Sequence, residues 1–157
     1  MVQDQQSIAP ISRCALPPSA ELLRAIEQFN QREYFECHET LEAMWHVERD
    51  LARAFARAVP AGQRASRPVY CDDLYKGILQ VGVGCYHLLR NNYRGATIKL
   101  QSGAEYLEPF VPRCMGVEVG QLIADARRLR EVIVALGPER MREVDLSLLP
   151  IITITSA

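Results

Sequence analysis

His38, Glu39 and Glu42 stand within little more than one turn of the run Tyr34-Phe35-Glu36-Cys37-His38-Glu39-Thr40-Leu41-Glu42. In form this is H-E-x-x-E. Residues four apart on a helix project from one face, so the His38 imidazole and the Glu42 carboxylate can reach a single divalent ion. Glu39 beside them is placed to act as a base, as the glutamate of H-E-x-x-H sites does. His46 continues that face one turn further, and His87 stands on a second helical segment. A His38/Glu42/His87 set with an open position suits zinc or another divalent ion that activates water, which is the chemistry of a metal-dependent hydrolase. Two other outcomes fit the same residues. His38 and Glu42 can bond to each other and to Gln80, His87 or Asn91, a satisfied network that fixes which helices pair. A small molecule can instead occupy the space between the two helices.

These side chains need helices to carry them. Tyr34, Phe35, His38, Leu41, Glu42 and Trp45 fall within about a third of a helix circumference. That spacing predicts a helix over about Tyr34 to Arg49 with this stripe turned toward the core. Trp45 is then core or interface packing, its N–H bonded to the same network. A further helix over about Asp72 to Arg90 is apolar nearly all round, with Leu74, Ile78, Leu79, Val81, Val83, Cys85 and Leu88, and so should be central. Its exception is a stripe of Asp73, Gly77, Gln80, Gly84, His87 and Asn91, expected to face His38 and Glu42. Each glycine costs about 1 kcal/mol of helix propensity, which close packing or ligand access would offset.

The remaining chain supplies three more helices. Leu22, Ile26 and Phe29 recur at helical spacing until Asn30, and the short turn Gln31-Arg32-Glu33 makes the first two helices antiparallel neighbours. Residues 50–70 carry Arg53, Arg57, Arg64 and Arg67 with Pro60, Gly62 and Pro68, and read as a long mobile connection. The fourth helix runs from about Ala96 to Glu108 and forms a tetratricopeptide-like hairpin with the third. The fifth, about Val117 to Leu136, stops at Gly137-Pro138. Leu148 to Ile154 has β-type residues without an evident partner strand, and reads as extended chain lying on the helices. The expected fold is all-α: a flexible arm over 1–17, then one helical domain over 18–157 with an extended tail.

Composition excludes several classes. The 157 residues carry 48% hydrophobic side chains and a net charge of −1, an ordinary globule without the basic balance of a nucleic-acid binder. Neither a signal peptide nor a bilayer-spanning run of about 20 apolar residues is present in the pattern. Cys14, Cys37, Cys71, Cys85 and Cys114 are odd in number and lack any C-x-x-C pair, so reduced, inert thiols in a cytoplasmic protein are expected.

The chain resembles the family catalogued as domain of unknown function 309. The resemblance rests on Phe29-Asn30, Tyr34-Phe35-Glu36-Cys37-His38-Glu39, Leu41-Glu42 and Trp45, then Gly77-Ile78-Leu79-Gln80, His87, and Asn91 with Gly95-Ala96. It covers residues 25–108. The connection at 50–70 is longer than the family's usual one, and the arm and tail carry no motif. The resemblance implies a compact all-α fold and a cytoplasmic protein of bacterial or archaeal type. Members are often labelled predicted metal-dependent hydrolases, a label that implies no agreed substrate. Three functional expectations follow from these residues. The leading one is a noncatalytic or interaction module, homodimeric, with an interior His/Glu/Gln network. The others are a hydrolase using His38, Glu39 and Glu42 with a divalent metal, and a small-molecule binder floored by Gly77 and Gly84.

Overall fold

The computed structural model describes residues 12–59 and 67–155. Among the described residues five α-helices follow in order: α1 (Ala20–Asn30), α2 (Tyr34–Ala58), α3 (Asp72–Leu89), α4 (Tyr93–Leu107) and α5 (Val119–Leu136). A two-residue hairpin, β1 (Arg113–Cys114) with β2 (Val117–Glu118), lies between α4 and α5. The all-α expectation holds. No described helix is long and apolar enough to cross a membrane.

Local chemistry sets the helix ends. The Ser19 hydroxyl accepts from the Leu22 N–H and starts α1, and the Asn92 side chain accepts from the Gly95 N–H and starts α4. Arg32 and Asn91 take left-handed backbone conformations in the turns after α1 and α3. Asn91 therefore lies in the turn before α4 rather than on the α3 stripe where its spacing had placed it. α2 continues to Ala58, well beyond the expected end near Arg49. Its last turns, Leu51-Ala52-Arg53-Ala54-Phe55-Ala56-Arg57-Ala58, are rich in alanine and arginine, both strong helix formers. Of the expected mobile connection, residues 50–58 are thus helix and 60–66 lie outside the described residues, as do residues 1–11 of the expected arm.

α3 is the central helix. It packs against α2 on one side and α4 on the other, and α4 in turn packs on α5. Leu74, Ile78, Leu100, Leu107, Leu122, Leu129 and Ile133 are fully buried between them, with Leu22, Phe29 and Leu41 closing the α1–α2 side. The α3–α4 crossing is close because glycines meet there. A Cβ on Gly103 would come within 2.8 Å of the Val81 backbone N and 3.0 Å of the Gly77 carbonyl.

The segments outside the helices are tied down by specific bonds. Asn30 grips Ile152 in both directions, its amide donating to the Ile152 carbonyl at 3.0 Å and its oxygen accepting from the Ile152 N–H at 2.8 Å. The tail then bridges β2 through Val117 and Ile154, so it has a strand partner that the sequence did not reveal. Residues 12–16 are anchored as well: the Ser12 hydroxyl donates to the Pro68 carbonyl, and the Arg13 N–H to the Val69 carbonyl.

Candidate functional site

α2 presents its motif residues along a line that the sequence pattern misplaces. Its buried positions are Tyr34, Cys37, Leu41 and Glu48. The core-facing stripe is therefore turned toward Cys37, which lies near Cys85 of α3. Phe35 and Glu42, expected to face inward, lie outward, and Phe35 is 59% exposed. His38 stands at the boundary with 37% of its side chain exposed, Glu42 has 48% exposed, and Glu39 is exposed. The interior His/Glu network expected from the sequence is not formed. Instead Glu42 sits between two histidines on the surface, 3.7 Å from His38 Nδ1 and 3.8 Å from His46 Nε2.

The third-helix stripe is also assigned to a different neighbour. Gly77 and Gly84 face α4, where a Cβ on Gly77 would meet Leu107 at 2.6 Å and one on Gly84 would meet Leu100 at 2.8 Å. Gln80 is buried and its side-chain oxygen accepts from the Ser102 hydroxyl of α4. None of these three floors a ligand space toward α2; they serve the α3–α4 crossing. His87 does reach the α2 side. It lines an open groove of about 280 Å³ with Tyr34, Phe35, His38, Val83 and Tyr86. Its ring also packs over Gly95 and lies 3.3 Å from the Asn92 amide through Nδ1. Burial holds the His87 pKa below the usual imidazole value, and nearby Lys99 adds to that. Trp45 packs on the core from the edge of this region, with the Lys76 ammonium 4.2 Å and the Arg49 guanidinium 4.8 Å from its ring centre.

The motif pattern misses a second constellation further along α2, just past His46. Glu48 is 4% exposed, the only buried carboxylate among the described residues. One of its oxygens accepts from Arg13 Nη1 at 2.7 Å, and the other from the Cys71 N–H at 2.9 Å. It thus fixes the N-terminal segment and caps α3, where a negative charge is favoured by the helix dipole. Tyr34, Leu41 and Glu48 recur every seven residues, so continuing the period one more step would have found it. Arg67 ties the same region to the hairpin by donating to the carbonyls of Phe110, Val111 and Arg113. Cys14 and Cys114 form a disulfide, which corrects the expectation of five reduced thiols. Cys71 stays a free thiol 3.7 Å from Cys114 Sγ. Residues so distant in sequence leave no local spacing to read.

A metal set built on His38, Glu42 and His87 is not assembled. Among the described residues, the one group of three ligating side chains whose donor atoms converge within 4.8 Å is Cys14, Cys71 and Cys114. The chain matches the family model described as Domain of unknown function (DUF309) over residues 22–59, so the family resemblance is shown on α1 and α2. No curated protein and no solved structure matches the chain significantly.

Proposed function

We propose that the chain is a noncatalytic helical interaction module that pairs with a second copy of itself through the outward stripe of α2, in a cytoplasmic setting. The observation that carries this reading is the segregation of charge along that stripe. Its N-terminal half presents Glu36, Glu39 and Glu42, and its C-terminal half presents Arg53 and Arg57 with half-buried Arg49 at the edge. The acid of the C-terminal half, Asp50, is bonded to Arg49 of its own chain. His46 lies between the halves, and exposed Phe35 and Val47 add apolar contact area. In a two-fold pair the same surface meets itself, and two helices crossing antiparallel about His46 set each acidic half over a basic one. Glu39 then lies opposite the second copy's Arg53. Parallel pairing would set like charges together.

The groove lined by His38 and His87 supports a small-molecule site as a second reading, its volume lying just under the usual range for ligand pockets. The hydrolase reading has no comparable support, because Glu39 points to solvent away from any converging set of ligands.

The test is the mass in solution by light scattering for the parent, Glu39→Arg, Arg53→Glu and the double variant. The parent should be dimeric, and more weakly so at high salt. Each single reversal should dissociate it, and the double reversal should restore it. Arg53 also acts electrostatically on Asp72 within its own chain, so melting curves accompany each measurement. A parent that is monomeric at every concentration, or reversals without effect, would sink the proposal.

A further inference from the structure

Three sulfurs from three distant parts of the chain meet beside Glu48. Cys14 lies in a short 3-10 turn ahead of α1, Cys71 immediately precedes α3, and Cys114 is in β1. Their Sγ atoms all lie within 4.8 Å of one another. We propose that in the reduced protein Cys14, Cys71 and Cys114 form a trithiolate site for one thiophilic cation of the zinc class, and that the Cys14–Cys114 disulfide is its closed state.

The spacing supports this assignment. Zinc–thiolate bonds of about 2.3 Å in a tetrahedral site place two sulfurs about 3.8 Å apart. Cys71 and Cys114 already stand at 3.7 Å. Opening the disulfide frees Cys14 to draw back to a similar spacing from both. Cys14 also lines an open groove of about 560 Å³ with Pro17, Leu23, Arg113 and Ile154, which admits reductant and ion, whereas Cys71 and Cys114 are fully buried. A divalent cation with three thiolates carries one net negative charge. Arg13 and Arg67 set two positive charges near Cys71 beside the two negative charges of Glu48 and Asp72, and Glu48 is itself paired with Arg13. Glu48 is a positioning residue: its two oxygens are committed to Arg13 and to the Cys71 N–H.

The electrons and protons balance. A dithiol gives two electrons and two protons to the Cys14–Cys114 bond and leaves as its own disulfide. The three thiols then release three protons to solvent as the cation binds.

The experiment uses the full chain, reduced with a water-soluble phosphine and freed of metal, with cadmium as the probe. Thiolate-to-cadmium charge-transfer absorbance should saturate at one ion per chain, and the disulfide form should show none. Cys71→Ser and Cys14→Ser should each remove about a third of that absorbance, one ligand in three, and weaken binding by roughly tenfold or more. Cys37→Ser should leave it unchanged. Far-ultraviolet circular dichroism establishes that each protein is folded. If Cys71→Ser does not fold, Cys14→Ser, at a partly buried position, decides alone. No saturable signal from the folded reduced protein would overturn the proposal. So would a signal that keeps its full intensity and affinity in both serine variants, or one lost in Cys37→Ser.

Discussion

Replacing Glu48 with alanine removes a carboxylate that two donors depend on, and the structure sets the size of the effect. Arg13 Nη1 and the Cys71 N–H lose their acceptor at once. The Arg13 side chain is 39% exposed and regains water, so its loss is the smaller part. The Cys71 N–H is buried at the start of α3 and stays unpaired, a penalty of about 1–3 kcal/mol. With the charge-assisted bond to Arg13 added at a discount for its exposure, Glu48→Ala should destabilise by about 2–3 kcal/mol. In a domain of this length that lowers the melting temperature by about 4–12 °C. Glu48→Gln keeps the shape and one acceptor, and should fall between, at about 1–2 kcal/mol. The assay is urea unfolding followed by circular dichroism, with Arg13→Ala and the double variant completing a cycle. A Glu48→Ala protein within about 0.5 kcal/mol of the parent, the ordinary range for a surface change, would refute the role assigned to the carboxylate.

Two further outcomes follow from the packing and the titration. Gly103→Ala should cost about 1–3 kcal/mol because its Cβ meets backbone of α3, whereas Gly82→Ala, whose nearest contact is 3.6 Å, should be neutral or stabilising by up to about 1 kcal/mol; equal unfolding midpoints for the two would contradict this account of the crossing. His87 has its folded pKa below the unfolded value, so its contribution to stability is complete above about pH 6.5 and is lost as pH falls through the folded value. Unfolding free energies measured from pH 7.5 down to 5 should therefore decline less steeply in His87→Gln than in the parent, and identical slopes would remove His87 from that dependence.

Much of the fold was legible because it depends on local pattern. The apolar periods of residues 22–29, 74–88 and 123–136 predicted α1, α3 and α5, and the nearly all-round apolar surface of α3 predicted its central place. The polar positions of α2 and α3 pointed to His38 and His87 bordering one space, and both rings line the groove between those helices. What the pattern did not carry was rotation. Phe35 and Glu42 share a sector with Tyr34 and Leu41, and only the packing of the neighbouring helices decides which edge of that sector is wet. Gly77, Gln80 and Gly84 announced a close contact but not its partner, because small residues suit any helix that approaches, and α4 rather than α2 does so. The Cys14, Cys71 and Cys114 cluster lies further from reach. Its members are separated by 57 and 43 positions and carry no spacing rule, so their meeting is decided by where the N-terminal turn, the start of α3 and the hairpin come to rest. Local sequence determines periodicity and therefore helices; which faces meet, and which distant side chains share a site, is settled only by the packing that buries them.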